Sequence, residues 1–160
     1  MPKSTVEQGR LYFYEEGEFL AILKSVEENT VEYTAKAHHQ AVKKGNARVG
    51  DTLSFDQWVW TWELLEGEHG SMEIEFKTDP KIELARRGLA LQAWEALTGE
   101  PLELGQDVDT DVVVGGKARL VIVHADPETG RDGQTYYRAN VGEVLPAGDG
   151  ASSSNEEPPF

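Results

Sequence analysis

Phe55-Asp56-Gln57-Trp58-Val59-Trp60-Thr61-Trp62-Glu63-Leu64 is the stretch on which the reading of this chain turns. Its three tryptophans recur at every second position. Successive side chains of a strand point to opposite faces, so Trp58, Trp60 and Trp62 share one face and Gln57, Thr61 and Glu63 the other. Three large apolar side chains on one strand face are the signature of a core, and burial of at least two of them is expected. Glu66-Gly67-Glu68-His69-Gly70 then makes a turn, after which Met72, Ile74 and Phe76 alternate with Ser71, Glu73 and Glu75. The two runs read as a hairpin with one wet and one dry face.

Upstream, the apolar run from Glu18 to Val26 is bounded by Gly17 and Asn29 and is too short for a lone helix, so it reads as a buried strand. Val31 to Asp51 has mild helical character through Ala35, Ala37, Ala41 and Val42 and reads as an inserted arm or long loop. The aromatic knot Leu11-Tyr12-Phe13-Tyr14 is either a short strand or a cover over one end of the fold. Downstream, Thr78-Asp79-Pro80 offers a cap followed by proline at a first helical position, and Gly99 closes the spacing Ile82, Ala85, Leu89, Ala93, Trp94, Leu97. One amphipathic helix over about 80–98 is predicted. Val112-Val113-Val114, a Gly115-Gly116 break, and Ala118 to His124 supply a further strand. The turn from Asp126 to Gly133 leads into Thr135 to Val141 and Val144-Leu145, a second hairpin.

The order strand, arm, hairpin, helix, hairpin predicts a mainly β chain with one or two helices, arranged as an OB-fold-like five-stranded barrel. Its 160 residues, 39% of them apolar, suffice for one globular domain, placed at 1–146. Beyond Pro146 the composition turns to Gly, Ala, Ser, Asn, Glu and Pro, so 147–160 is expected to be a disordered acidic tail. No run approaches the roughly 18 consecutive apolar residues of a membrane span, and the amino-terminal residues do not form a signal peptide. A cytoplasmic protein without a membrane partner is expected.

The net charge of −14 opposes any partner that is itself an anion, since nucleic acid binding draws on Lys and Arg neutralising phosphates. Its distribution is uneven, and screening confines an exposed charge to about 8–10 Å. Between Val31 and Gly50, Lys36, Lys43, Lys44 and Arg48 face only Glu32, with His38 and His39 alongside. A basic island interrupts an acidic chain.

Cysteine is absent, which removes disulfides, thiol nucleophiles and Cys-ligated zinc. Asp107-Val108-Asp109-Thr110-Asp111 begins like a calcium loop, but Val112 stands where glycine makes the sharp turn and Ala118 where the bidentate Glu belongs. Solvated turn residues are the expectation there. The four histidines lack a metal-ligand spacing, and the chain has neither a Walker loop nor a Gly-x-Ser-x-Gly elbow. No catalytic residue, metal or cofactor is assigned.

The chain closes on Asn155-Glu156-Glu157-Pro158-Pro159-Phe160, two carboxylates beside a terminal Pro-Phe. A phenyl ring with flanking carboxylates suits an apolar pocket rimmed by Arg or Lys. With this tail and the element order, the chain resembles the small acidic-tailed OB-fold single-stranded DNA-binding proteins of bacteriophages, including those of replication and recombination modules. The resemblance implies single-stranded DNA held without strict sequence preference, inside a bacterial host if phage-encoded. It also implies replication or recombination proteins recruited through Glu156, Glu157, Pro159 and Phe160. The expected DNA contacts are Lys36, Lys43, Lys44, Arg48, Lys117, Arg119 and Arg138 for phosphates and Trp60 and Tyr137 for bases, with Tyr33 and Tyr136 as alternative rings. Whether Tyr137 and Arg119 share a face depends on the register of the last hairpin, which the sequence does not fix. Two other readings stand beside this one: an acidic protein-interaction module that binds a host factor or imitates DNA charge, and a metal-dependent nuclease using Asp107, Asp109 and Asp111.

Overall fold

The computed structural model describes residues 2–4, 12–68 and 70–148. Glu156, Glu157, Pro159 and Phe160, the expected partner-binding residues, lie outside these, as does Leu11. Five strands form one antiparallel sheet: β1 (Gly17–Thr34), β2 (Thr52–Leu64), β3 (Glu73–Thr78), β4 (Lys117–His124) and, after two short strands, β7 (Ala139–Pro146), in the order β3-β2-β1-β4-β7. The short strands β5 (Glu128–Thr129) and β6 (Thr135–Tyr136) pair with each other in a separate two-stranded sheet. Two helices, α1 (Gln40–Lys43) and α2 (Leu89–Thr98), complete a mainly β architecture.

The tryptophan row falls where its period places it. Trp60 and Trp62 are fully buried and pair across β2 and β3 with Phe76 and Ile74. The Trp60 indole N–H donates to Thr78 Oγ1 at 2.9 Å, while Trp62 Nε1 is buried without a partner among the described residues. Across the sheet, Leu23, Ala21, Ala118, Leu120, Ile122, Val141 and Val144 continue the same dry layer, and α2 closes it with Ala90, Leu91, Ala93 and Trp94. The alanines stand where β1, flanked on both sides, pairs Ala21 with Leu64 on β2 and with Ala118 on β4.

β1 carries the bend. Leu23 pairs with Trp62 but Ser25 with Thr61, so Lys24 is the extra residue of a bulge. The bulge shifts the alternation by one, which lets both Leu23 and Val26 face the tryptophans. The freed Leu23 backbone pairs with the chain just before β4, through Gly116 O at 2.9 Å and the Gly115 N–H at 2.8 Å.

The five-stranded sheet is not closed into a barrel: β3 and β7 are its edges. Groups on both edges are engaged by other partners. The Val144 N–H donates to Gln92 Oε1 of α2 at 2.8 Å, and the Tyr14 hydroxyl donates to the Glu73 carbonyl of β3. The aromatic knot is accordingly a cover, not a strand: Tyr12 stacks on His124 with ring centroids 3.8 Å apart, and His124 Nε2 donates to the Tyr14 carbonyl at 2.7 Å.

The helix begins later than its predicted start at about 80. Asp79 Oδ1 accepts from the Lys81 N–H at 2.8 Å, a local turn that competes with helix, and α2 starts at Leu89 after the extended N-cap Gly88. Its end agrees with expectation, at Gly99 in the left-handed conformation with φ 76°. At the carboxyl end, Ala147 is buried and its carbonyl accepts from Arg119 Nε at 3.2 Å, so the folded chain passes the expected boundary at 146.

Trp62→Ala removes a fully buried indole from the centre of this layer. The expected outcome is a loss of roughly 3–5 kcal/mol of stability, read as a lower urea midpoint at unchanged slope.

Candidate nucleic-acid interface

β1 and β2 outrun their neighbours. β4 pairs with β1 only from Gly17 to Ile22, and β3 with β2 only from Trp58 to Glu63, whereas β1 and β2 remain paired out to Thr34 and Thr52. Asn29 to Thr34 with their partners form a free-standing ribbon about 20 Å long at about 3.3 Å per residue. Residues 31–34 of the predicted arm are thus strand, and its helical character is confined to the single turn of α1.

The tip is a compact loop. Ala35 is buried and exchanges backbone bonds with Asp51 and Gly50, at 2.7 and 2.9 Å. Asp51 Oδ2 accepts from the Arg48 N–H at 2.9 Å. His39 Nδ1 accepts from the Lys36 N–H at 2.9 Å, and its ring packs edge-on against Tyr33 at 5.0 Å. Partial burial, His38 and Lys36 together hold His39 below the ordinary histidine pKa. Around this frame Lys36, Lys43, Lys44 and Arg48 are all exposed, so the four cations adjacent in sequence share one loop in space.

The two faces of the ribbon differ. In register, Tyr33 with Leu53 and Val31 with Phe55 lie on one face, and Glu32 with Ser54, Thr30 with Asp56 and Glu28 with Trp58 on the other. The first face is aromatic: Tyr33 and Phe55 meet with ring centroids 5.9 Å apart, and Phe55 is 49% exposed. The second is acidic, with Thr30 Oγ1 donating to Asp56 Oδ1 at 2.7 Å.

The remaining expected contacts do not join this surface. Trp60 is fully buried and has no ring face to offer a base, which corrects its assignment as a stacking residue. Arg119 is engaged by Glu66 at 3.0 Å, the Ala147 carbonyl at 3.2 Å and Glu18 at 3.9 Å, so its guanidinium is already neutralised. Lys117 is exposed but pairs with Ile22, about 40 Å of strand from the tip. Tyr137, half-buried edge-on to Tyr12 at 5.3 Å, and exposed Arg138 sit beyond the opposite end of β4. Tyr137 and Arg119 therefore do not share a face. Phe55 is the residue that sequence reasoning passed over; its period-two relation to Gln57 and Val59 on the face away from the tryptophans was the available signal.

Among the described residues no group of three or more His, Asp or Glu side chains is placed to hold a metal ion. Asp109 instead accepts from the Asp111 N–H at 3.1 Å, capping a 3-10 turn at Thr110–Val112. No helix among them is long and apolar enough to cross a membrane. No protein-family model, curated protein or solved structure matches the chain.

Because His39 is held below its ordinary pKa, the folded tip binds a proton less readily than the unfolded chain does. Its contribution to tip stability is present above the unfolded value and declines as pH falls through that value toward the folded one. An NMR titration is expected to show His39 titrating below the ordinary histidine value, with the Lys36 amide moving in step with it. His39 titrating at or above the ordinary histidine value would contradict the hydrogen-bonded, neutral tip.

Proposed function

We propose that this chain is a non-enzymatic single-stranded DNA-binding protein that reaches its ligand through the tip of the β1–β2 ribbon. The observation that carries the reading is the segregation of Lys36, Lys43, Lys44 and Arg48 on an exposed loop at the end of that ribbon, away from an acidic body. Cations on a loop about 20 Å from the sheet contact phosphates with little repulsion from that body, since the distance exceeds two Debye lengths at physiological salt. The strand order, the bulged first strand shared by both halves, and the helix between β3 and β4 support an OB-type scaffold, opened between β3 and β7. In a replication or recombination setting the acidic tail, through Glu156, Glu157, Pro159 and Phe160, recruits partner proteins, and the compartment is the cytoplasm, that of a bacterial host if phage-encoded.

The acidic interaction module is the second reading. Glu63 and Glu73 stand directly opposite each other on the solvent face of β2 and β3, with Glu75 two residues along. Like charges so paired destabilise a sheet, which gives a basic partner something to relieve.

Binding of a labelled oligo-dT in a salt titration separates the two. Four tip cations predict a slope of log affinity against log salt of about −3, and Lys43→Glu/Lys44→Glu is expected to abolish binding at moderate salt while leaving the thermal midpoint within a few degrees. An absence of salt-dependent binding would favour the acidic module. Quenching of intrinsic fluorescence by the oligonucleotide is expected to be small, because Trp60, Trp62 and Trp94 are buried and the partly exposed Trp58 lies opposite Glu28 on the acidic face.

A further inference from the structure

Resting on the reading of the tip as a phosphate contact, we propose that Tyr33 and Phe55 form a nucleobase-stacking site on one face of the ribbon, and that a single strand passes along that face only. A two-stranded ribbon has no layer beneath it, so a ring that is 49% exposed on it, as Phe55 is, does little to hold the fold. Tyr33 meets Phe55 on one side and His39 on the other, and His39 is bonded to the Lys36 backbone, so rings and cations form one continuous surface. Bases need aromatic faces beside a cationic track, and the two most buried tryptophans cannot supply them. The reverse side presents Glu28, Glu32 and Asp56, which repel a phosphate chain. A duplex, its bases already stacked on one another, gains nothing from exposed rings; an unpaired strand does.

Fluorescence polarisation with a dT 15-mer, a 15-mer of abasic sites and the matching duplex tests the site. The wild-type protein is expected to bind dT about tenfold or more tighter than the abasic strand, in keeping with one or two base–aromatic stacks. Tyr33→Leu/Phe55→Leu is expected to erase that preference while leaving abasic binding, which reads phosphates alone, unchanged. Phe55→Ser alone, at a half-exposed ring, is expected to reduce the preference and guards against misfolding of the double variant. A preference that survives both changes overturns the stacking site but leaves the basic-tip reading intact. No binding of any strand by the wild-type protein overturns both. If the variants instead dissociate a dimer in sedimentation with the preference unchanged, the aromatic face is a contact between copies and the inference fails.

Discussion

The register of β1 against β2 is the constraint on which the rest of this structure depends. Side chains alternate with period two, so a slip of one residue would turn Trp60 and Trp62 to solvent and bring Thr61 and Glu63 into the core. Burial of the two indoles fixes the pairing on either side of the bulge, and from Ser25 and Thr61 the register continues unbroken past the edge of the sheet to Thr34 and Thr52. The same hydrogen-bond ladder that packs the core therefore decides, many ångströms away, that Tyr33 and Phe55 share a face and that Glu28, Glu32 and Asp56 share the other. Core and candidate interface are two ends of one pairing.

The bulge at Lys24 makes this arrangement compatible with a curved sheet. Its extra residue lets β1 turn Leu23 and Val26 toward the tryptophans despite their unequal parity, and Lys24 itself pairs with Glu63 at 3.4 Å on the solvent face. Beyond the bulge β1 loses β4 as a neighbour and continues with β2 alone. Electrostatics follows from that geometry. Residues gathered on a projecting tip keep a basic field of their own in a chain whose net charge is −14, because salt screens the acidic body over the length of the ribbon. The tip's internal bonds, through Asp51 and the neutral ring of His39, use short-range partners that leave the lysine ammonium groups outward.

Legibility from sequence tracked how local each feature is. The tryptophan row and the β2–β3 hairpin followed from alternation, and Gly99 ended α2 in the left-handed conformation that glycine tolerates. The helix start did not, because Asp79 and Pro80 suit a helical first turn and an isolated turn equally, and the choice fell to the burial of Ala90 and Leu91 in the first turn of α2. Arg119 read as a phosphate ligand because cations are exposed by default. Its neutralising partners, Glu18 and Glu66, come from β1 and the β2–β3 turn, contacts between residues far apart in sequence.

By itself the sequence determined the strand periods, the buried identity of the tryptophan row and the clustering of Lys36, Lys43, Lys44 and Arg48, because each depends on neighbours within a few residues. The tertiary structure alone decided that β1 and β2 project beyond the sheet, that Phe55 joins Tyr33 beside the cations, that Arg119 is withdrawn, and that β3 and β7 remain edges. Those outcomes rest on which long-range partner satisfies each backbone group and each charge, and a linear pattern does not encode that choice.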